Sequence, residues 1–291
     1  MVRSSARTLL STTHAIHYDT GMSKVRPSAS KALGGKRRVR PTAREPWGEV
    51  IHEQRAVAMR LSIVIPVYNE KATVEEIVAR VIAVDTGLER EIILIDDGST
   101  DGTLEVYPRL QERFPKDNIR VQLQPKNRGK GAAVRAGFAL ATGDIVLIQD
   151  ADLEYDPRDY GQLLRPILEG KADVVYGSRF VGSEYHRVHL FWHSVGNRLL
   201  TLLSNMLTNL NLTDMETCYK VFRAEVVRSL KLQSDSFSIE PEITAKVAKG
   251  HWRVYEVGIS YAGRDYAEGK KIGMIDGFKA LWAIVRFRFG A

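Results

Sequence analysis

The sequence predicts an α/β protein built on a mostly parallel central sheet with helices on both faces. Three observations carry this. From residue 61 onward, short apolar runs of strand length alternate with stretches of helical apolar spacing. The runs are apolar throughout rather than alternating, as strands covered on both faces are. Each of the first four runs into a polar segment rich in Gly, Asn or Asp, on the side where ligands of open α/β sheets bind.

The elements follow in order. Leu61 to Pro66 reads as a buried strand ended by proline, and Thr73 caps a helix with Val74, Ile77, Val78, Val81 and Ile82 on its apolar face. Glu91 to Ile95 is a second strand, Thr103 to Phe114 a helix, and Ile119 to Gln124 a third strand. Lys130 to Ala141 is a helix rich in Ala and Gly, suited to close packing, and Ile145 to Gln149 is a fourth strand. Asp173 to Tyr176 is a strand running into Gly177-Ser178-Arg179, followed by a helical stretch from about His193 to Asn209. Asp214 to Phe222 is a polar-to-apolar segment, Pro241 to Lys249 a short helix, and Val254 to Ser260 a strand. Residues 272–291 hold an amphipathic helix with Ile272, Ile275, Phe278, Leu281, Trp282, Val285 and Phe289 at helical spacing.

Composition narrows the class. The 291 residues are 44% hydrophobic and 26% charged, which excludes bulk disorder, and one cysteine, Cys218, excludes a disulfide scaffold and favours a reducing compartment such as the cytoplasm. No apolar run approaches the roughly 18 residues needed to span a bilayer. The net charge of +7 resembles a nucleic-acid signal until it is located. Residues 1–58 hold 11 Lys/Arg against 4 Asp/Glu, and residues 59–291 hold 31 of each. The body therefore has no basic field, and no nucleic-acid partner is expected. Three readings are open for residues 1–58: a disordered basic extension, a segment preceding a true start at Met59, or an Arg/Ser-rich transit peptide.

Chemistry concentrates at the strand ends. Asp150-Ala151-Asp152 follows the fourth strand, and Glu154 adds a third oxygen donor; such carboxylates converge on Mg²⁺ or Mn²⁺ together with ligand phosphates. Asp96-Asp97-Gly98-Ser99-Thr100-Asp101-Gly102-Thr103 follows the second strand and suits a nucleoside pocket, one aspartate accepting from base or ribose. Tyr68 and Glu70, after the first strand, can stack on a base and accept from it. No GxGxxG follows the first strand, which removes a dinucleotide-binding dehydrogenase. The Gly-rich signature of a sugar-phosphate nucleotidyltransferase is also missing there. His186, His189 and His193 lack Cys and acidic companions at zinc spacing. Cys218 reads as a packed thiol, because no His base is near it in sequence.

Taken together, Ile65-Pro66-Val67-Tyr68-Asn69-Glu70, the Asp96 to Thr103 segment, Asn127-Arg128-Gly129-Lys130-Gly131, Asp150-Ala151-Asp152-Leu153, Gly177-Ser178-Arg179, the Asp214 to Phe222 segment, and Arg264 with Lys270 resemble the family 2 inverting glycosyltransferases. The later motifs resemble its polyprenyl-phosphate (dolichyl-phosphate) mannose and glucose synthase branch. The resemblance spans about residues 60–280. It implies a GT-A, Rossmann-like fold over residues 59–271 and transfer of a hexose from GDP-mannose or UDP-glucose to a polyprenyl phosphate with a divalent metal. It implies that Pro66, Tyr68, Glu70, Ile95 and Asp97 line the nucleoside pocket, and that Asp150, Ala151, Asp152 and Glu154 meet the metal and diphosphate. It further implies that Arg179, Arg264 and Lys270 meet phosphates and that Asp214 lies near sugar and acceptor. Many relatives carry Gln where Glu154 stands and a small residue where Cys218 stands. A phosphate acceptor is already ionised and needs positioning; a hydroxyl acceptor needs a base, for which Asp214 is the candidate. The C-terminal helix has two readings, a contact with a membrane surface or a helix packed on the catalytic domain.

Overall fold

The computed structural model describes residues 59–182, 190–263 and 274–290, the side chains of residues 274–276 excepted. The N-terminal extension, His186, His189, Arg264 and Lys270 lie outside the described residues.

One seven-stranded sheet runs in the order β3-β2-β1-β4-β6-β5-β7. Its strands are β1 (Arg60–Val67), β2 (Glu89–Asp96), β3 (Ile119–Leu123), β4 (Ile145–Ile148), β5 (Val174–Ser178), β6 (Lys220–Arg223) and β7 (Val254–Gly258). The pairings β1–β2, β1–β4, β2–β3 and β5–β7 are parallel, and β6 is antiparallel to both neighbours. The mostly parallel α/β architecture expected from the alternating pattern is the one observed. After β3 the chain returns across the sheet to add β4 on the far side of β1, so the switch in strand order falls between β1 and β4.

The helices are α1 (Val74–Ala83), α2 (Val106–Arg113), α3 (Lys130–Leu140), α4 (Tyr160–Leu168), α5 (Phe191–Thr208), α6 (Ala224–Ser229), α7 (Ile239–Lys249) and α8 (Met274–Phe289). Val74, Ile77, Val78 and Val81 of α1 are fully buried against the sheet, as their spacing requires. Small residues let α3 approach closely: Gly131, Ala132, Ala133 and Gly137 are buried, and a Cβ on Gly137 would strike Val64 of β1.

Three details differ from the sequence reading. Pro66 does not end β1, which continues to Val67. The N–H of Gln149 donates to the Val64 carbonyl at the end of β4, so the N–H that Pro66 lacks, on that same edge, faces no further strand. Thr73 stands at the start of α1, but its hydroxyl donates to Glu70 Oε2 (2.7 Å) instead of accepting from the helix. Within the segment read as polar-to-apolar lies β6, followed by the short α6; a lysine at the head of a four-residue strand hides it. On the C-terminal helix, where two readings stood open, the described part of the stripe is the outer face; Ile272 and the side chain of Ile275 lie outside the described residues. Phe278, Leu281, Trp282, Val285 and Phe289 are exposed, while Ala280, Ala283, Ile284 and Phe287 are buried against α5 and α7. Alanines allow the close approach, with Ala283 and Phe287 packed on Ala245 of α7. Packing on the domain thus uses one face, and the predicted stripe is left outward.

Candidate active site

The carboxyl ends of β1, β2 and β4, with the segments leading out of β3 and β5, gather the motif residues at one edge of the sheet. The β1 and β2 loops are tied to each other. The Asn69 N–H donates to Ser99 Oγ (2.9 Å), the Glu70 N–H to Thr103 Oγ1 (3.0 Å) and the Thr100 N–H to Asn69 Oδ1 (2.8 Å). Asn69 holds φ +53, a conformation asparagine tolerates better than most residues. Tyr68 is exposed at this rim, while Glu70 is buried beside Thr73. Pro66 is half-buried just behind them.

Asp97 is buried, and its two oxygens accept from the Arg128 N–H (2.9 Å) and the Gly129 N–H (2.7 Å). Burial pushes its carboxyl up and these two hydrogen bonds oppose the shift. Asp97 therefore ties the β3–α3 loop to the end of β2. Ile95, expected to line the nucleoside pocket, is instead fully buried in a small cluster with Ile93 and Ala133. Gly129, at φ +101, packs so closely on Asp235 that a Cβ would strike its carbonyl.

After β4, Gln149 is a buried hub that sequence reasoning passed over. Its Oε1 accepts from the hydroxyls of Tyr160 and Tyr219, each at 2.7 Å, and its Nε2 donates to the Asp150 carbonyl (3.0 Å). This fixes the backbone that launches Asp150 and Asp152. Asp150 is paired with Lys130, whose ammonium lies 2.9 Å from Oδ1 and 3.4 Å from Glu240. Burial alone would lower the Lys130 pKa, but Asp150 and Glu240 hold it well above the ordinary value. Ala151 is buried, and Asp152 Oδ1 accepts from the Glu154 N–H (3.2 Å), with Leu153 between them at φ +63. Glu154 Oε2 accepts from the Tyr261 hydroxyl (2.7 Å). Among the described residues no three His, Cys, Asp or Glu side chains form a ready metal cluster. The donors still suit a hard cation: Asp152 and Glu154 offer carboxylate oxygens from one turn, and Mg²⁺ or Mn²⁺ completes its shell from phosphates and water.

On the other side of the site, Arg179 grips Asp214. Its Nε and Nη2 lie 2.6 and 2.8 Å from the two carboxylate oxygens, and its backbone N–H donates at 3.1 Å. Asn197 of α5 adds a bond to Asp214 Oδ1 (3.1 Å). Burial raises the Asp214 carboxyl, but the Arg179 charge and these donors outweigh it and hold the group below the usual carboxylate range. The guanidinium also sits 5.2 Å from the Tyr261 ring, so Tyr261 touches both the Asp152–Glu154 turn and the Arg179–Asp214 pair.

Glu216 is the second residue that sequence reasoning missed. Burial, reinforced by Glu240, pushes its carboxyl up to about 7, and its Oε1 is buried with no hydrogen-bond partner among the described residues. The signal was present in the sequence as an acid two positions from Asp214. Cys218 is buried with its thiol pushed up by burial and by Asp150, the condition of a packed rather than a nucleophilic sulfur.

A glycine loop tied to Asp97, a carboxylate turn after β4 and a buried Arg–Asp pair stand at the carboxyl edge of the sheet, the edge where open α/β folds take their ligands. The chain belongs to glycosyl transferase family 2, whose model matches residues 62–231. It is 30% identical over 218 residues to a dolichol-phosphate mannosyltransferase of Pyrococcus furiosus, covering 74% of this chain and 60% of that protein. It is 28% identical over 215 residues to a dodecaprenyl-phosphate galacturonate synthase of Rhizobium johnstonii, covering 73% and 62%. The chain thus spans about three fifths of the length of these curated relatives. Among solved structures, its fold is similar to glucosyl-3-phosphoglycerate synthase from Mycobacterium tuberculosis in complex with Mn²⁺, UDP and phosphoglyceric acid. The TM-score is 0.64 at 20% identity, covering 85% of each chain.

Proposed function

We propose that this chain is an inverting glycosyltransferase that moves a hexose from a nucleotide-diphosphate sugar, GDP-mannose or UDP-glucose, to a polyprenyl phosphate. The observation that carries this reading is the state of Asp214. Ion-paired on both oxygens and held below the usual carboxylate range, it is a poor proton acceptor. An acceptor that arrives already ionised needs no base, and a phosphate monoester is such an acceptor. Both curated relatives are named for a polyprenyl phosphate, which points the same way.

In this reading the nucleoside stacks at Tyr68 and meets Glu70 and Asp97. Asp152 and Glu154 would hold Mg²⁺ or Mn²⁺, which supplies charge stabilisation to the departing diphosphate when bound. Lys130, kept cationic by Asp150 and Glu240, adds fixed positive charge beside that turn. Arg179, with Arg264 and Lys270, receives phosphate groups, and Asp214 keeps the Arg179 guanidinium in one orientation. The acceptor oxygen attacks the anomeric carbon from the face opposite the leaving diphosphate. The chain would work in the cytoplasm at a membrane surface; no helix among the described residues is long and apolar enough to cross one.

A second reading has its own observation. Glu216, with its carboxyl near 7, could serve as base for a hydroxyl acceptor. A panel of nucleotide sugars against short-chain polyprenyl phosphates and hydroxyl acceptors tests both. The proposal expects lipid-linked sugar whose formation survives Glu216→Gln. Transfer to hydroxyls alone, rising through pH 7 and lost in Glu216→Gln, would replace it with the second reading.

A further inference from the structure

We propose that Gln124 determines which base the nucleotide carries: with Asp97 it forms a donor–acceptor pair that admits uracil or guanine and rejects cytosine and adenine. The inference deepens the nucleotide-sugar reading above and rests on it for the presence of a base.

The sheet register brings the two residues together. Val67 pairs with Asp96, and Asp96 with Leu123. The ladder runs one step past the strands: the Asp97 N–H donates to the Val67 carbonyl and the Gln124 N–H to the Asp96 carbonyl, each at 2.8 Å. Tyr68, Asp97 and Gln124 therefore stand in one row across three neighbouring strand ends. The face of that row follows from the row four residues earlier, because side chains alternate along a strand. That earlier row is Val64, Ile93 and Arg120, paired with one another in the ladder. All three meet α3: a Cβ on Gly137 would strike Val64, Ile93 clusters with Ala133, and Arg120 donates to the Leu140 carbonyl (3.0 Å). Tyr68, Asp97 and Gln124 thus share the α3 face, at the end where that helix begins.

The row holds an unanswered donor. Gln124 Nε2 is buried with no hydrogen-bond partner among the described residues. A buried amide N–H left unpaired is costly, and folded proteins seldom leave one without a reason. The backbone of Gln124 is fixed by its bond to Asp96, so the orphan does not stem from an untethered loop. Beside it, the Asp97 carboxylate accepts one backbone N–H on each oxygen, which uses two of its roughly four acceptor positions. Across the row stand an exposed ring, an acceptor with capacity left and a donor without an acceptor.

Base chemistry selects the occupant. The edge that answers this pair carries an N–H beside a carbonyl, the N–H for Asp97 and the carbonyl for Gln124. Uracil presents N3–H beside O4, and guanine presents N1–H beside O6. Cytosine and adenine present the reverse, an unprotonated ring nitrogen beside an amine. They would set a lone pair against the carboxylate and an N–H against the amide N–H. A site whose buried polar groups are met by one base and opposed by another discriminates more sharply than an apolar slot of the same shape. Asp97 reads the ring N–H, and Gln124 adds the neighbouring carbonyl.

The test is calorimetric titration of the full chain with UDP, GDP, CDP, ADP and inorganic pyrophosphate in Mn²⁺. The unaltered protein is expected to bind UDP or GDP at least about tenfold more tightly than CDP and ADP. Gln124→Leu, which keeps the bulk and removes the donor, should weaken the preferred nucleotide by about tenfold and leave pyrophosphate within about twofold. A merely structural role would move both ligands and the melting temperature together. Gln124→Glu, which replaces the donor by an acceptor, should bring UDP and CDP closer in affinity. Equal binding of all four nucleotides by the unaltered chain overturns the proposal, needs no variant, and leaves the nucleotide-sugar reading standing. Unchanged affinity and unchanged preference in a well-folded Gln124→Leu protein also overturn it, since Nε2 would then be served by water. If none of the four nucleotides binds, the nucleotide-sugar reading itself fails and this inference falls with it.

Discussion

Replacing Asp214 by Asn removes one charge from a buried pair and leaves the guanidinium of Arg179 without its counter-ion. Asp214 is fully buried and Arg179 nearly so, and four donors converge on the carboxylate. Breaking such a pair from one side costs about 3–5 kcal/mol, because the remaining charge stays desolvated. For a domain of this size about 2–4 °C of melting temperature accompanies each kcal/mol, so a fall of about 6–20 °C is expected. The pH dependence has a definite sign. The folded carboxyl is held below its ordinary 3.8, so its contribution is present above that value and is lost as pH falls through the lower folded value. The gap between the two proteins should therefore close toward pH 3. Differential scanning calorimetry from pH 3 to 8 measures this, and Arg179→Met combined with Asp214→Leu should cost less than the sum of the single changes. A single Asn variant that melts within about 2 °C of the unaltered chain at pH 7 would refute the reasoning, since it would mean that Arg179 is served by water or by another anion.

Three further outcomes are expected. Asp152→Asn should lose most transfer activity while its melting temperature stays within a few degrees, because the turn lies at the rim; full activity in saturating Mg²⁺ and Mn²⁺ would remove Asp152 from the metal site. Glu91 is buried, and although burial raises its carboxyl, donors from Ser62, Thr142 and Gly143 hold it below 4.5. Glu91→Ala should lose on the order of 2–4 kcal/mol above that pH by leaving the buried Ser62 hydroxyl and backbone donors short of an acceptor, the loss shrinking in acid, as urea titrations would report. Glu216 has the opposite sign: with its carboxyl raised from 4.5 to about 7, stability should fall as pH rises across that window, and Glu216→Gln should flatten the curve.

The first half of the fold was legible because its local signals agree. Apolar runs such as Ile92 to Ile95 and Ile145 to Ile148 fit strands covered on both faces, and each is followed by a polar segment that ends the run. What stayed hidden depends on contacts made far along the chain. Lys220 looks like a surface residue until Glu240, twenty positions on, neutralises it at zero exposure. Gln149 reads as the last residue of a strand, and only Tyr160 and Tyr219 from two other elements turn it into a hub. Tyr261 joins both halves of the site through Glu154 and Arg179, and nothing beside it in sequence announces this. On α8 the spacing alone left two readings open, because both faces are apolar and alanines such as Ala280 and Ala283, which allow close helix contact on the inner face, carry little hydropathy signal.

The reversed direction of β6 has a consequence for how such a site can change. The chain leaves the sheet at Ser178, the carboxyl end of β5, and re-enters at Lys220, directly beside Tyr176. Everything between, including Arg179, α5 and Asp214, begins and ends at the same rim, like the loop of a very long hairpin. A parallel β6 would have delivered Asp214 to the opposite edge of the sheet. The excursion is thus a cassette: its two stems are fixed by the β5–β6 ladder and by the Gly177 N–H to the Tyr219 carbonyl (2.8 Å), while the proposed nucleoside side draws on β1, β2 and the β3–α3 loop. Under the proposed function, residues 179–217 could be exchanged for those of another acceptor type without touching the β1–β2, β1–β4 or β2–β3 pairings, so acceptor choice could drift while the proposed nucleotide side stays put.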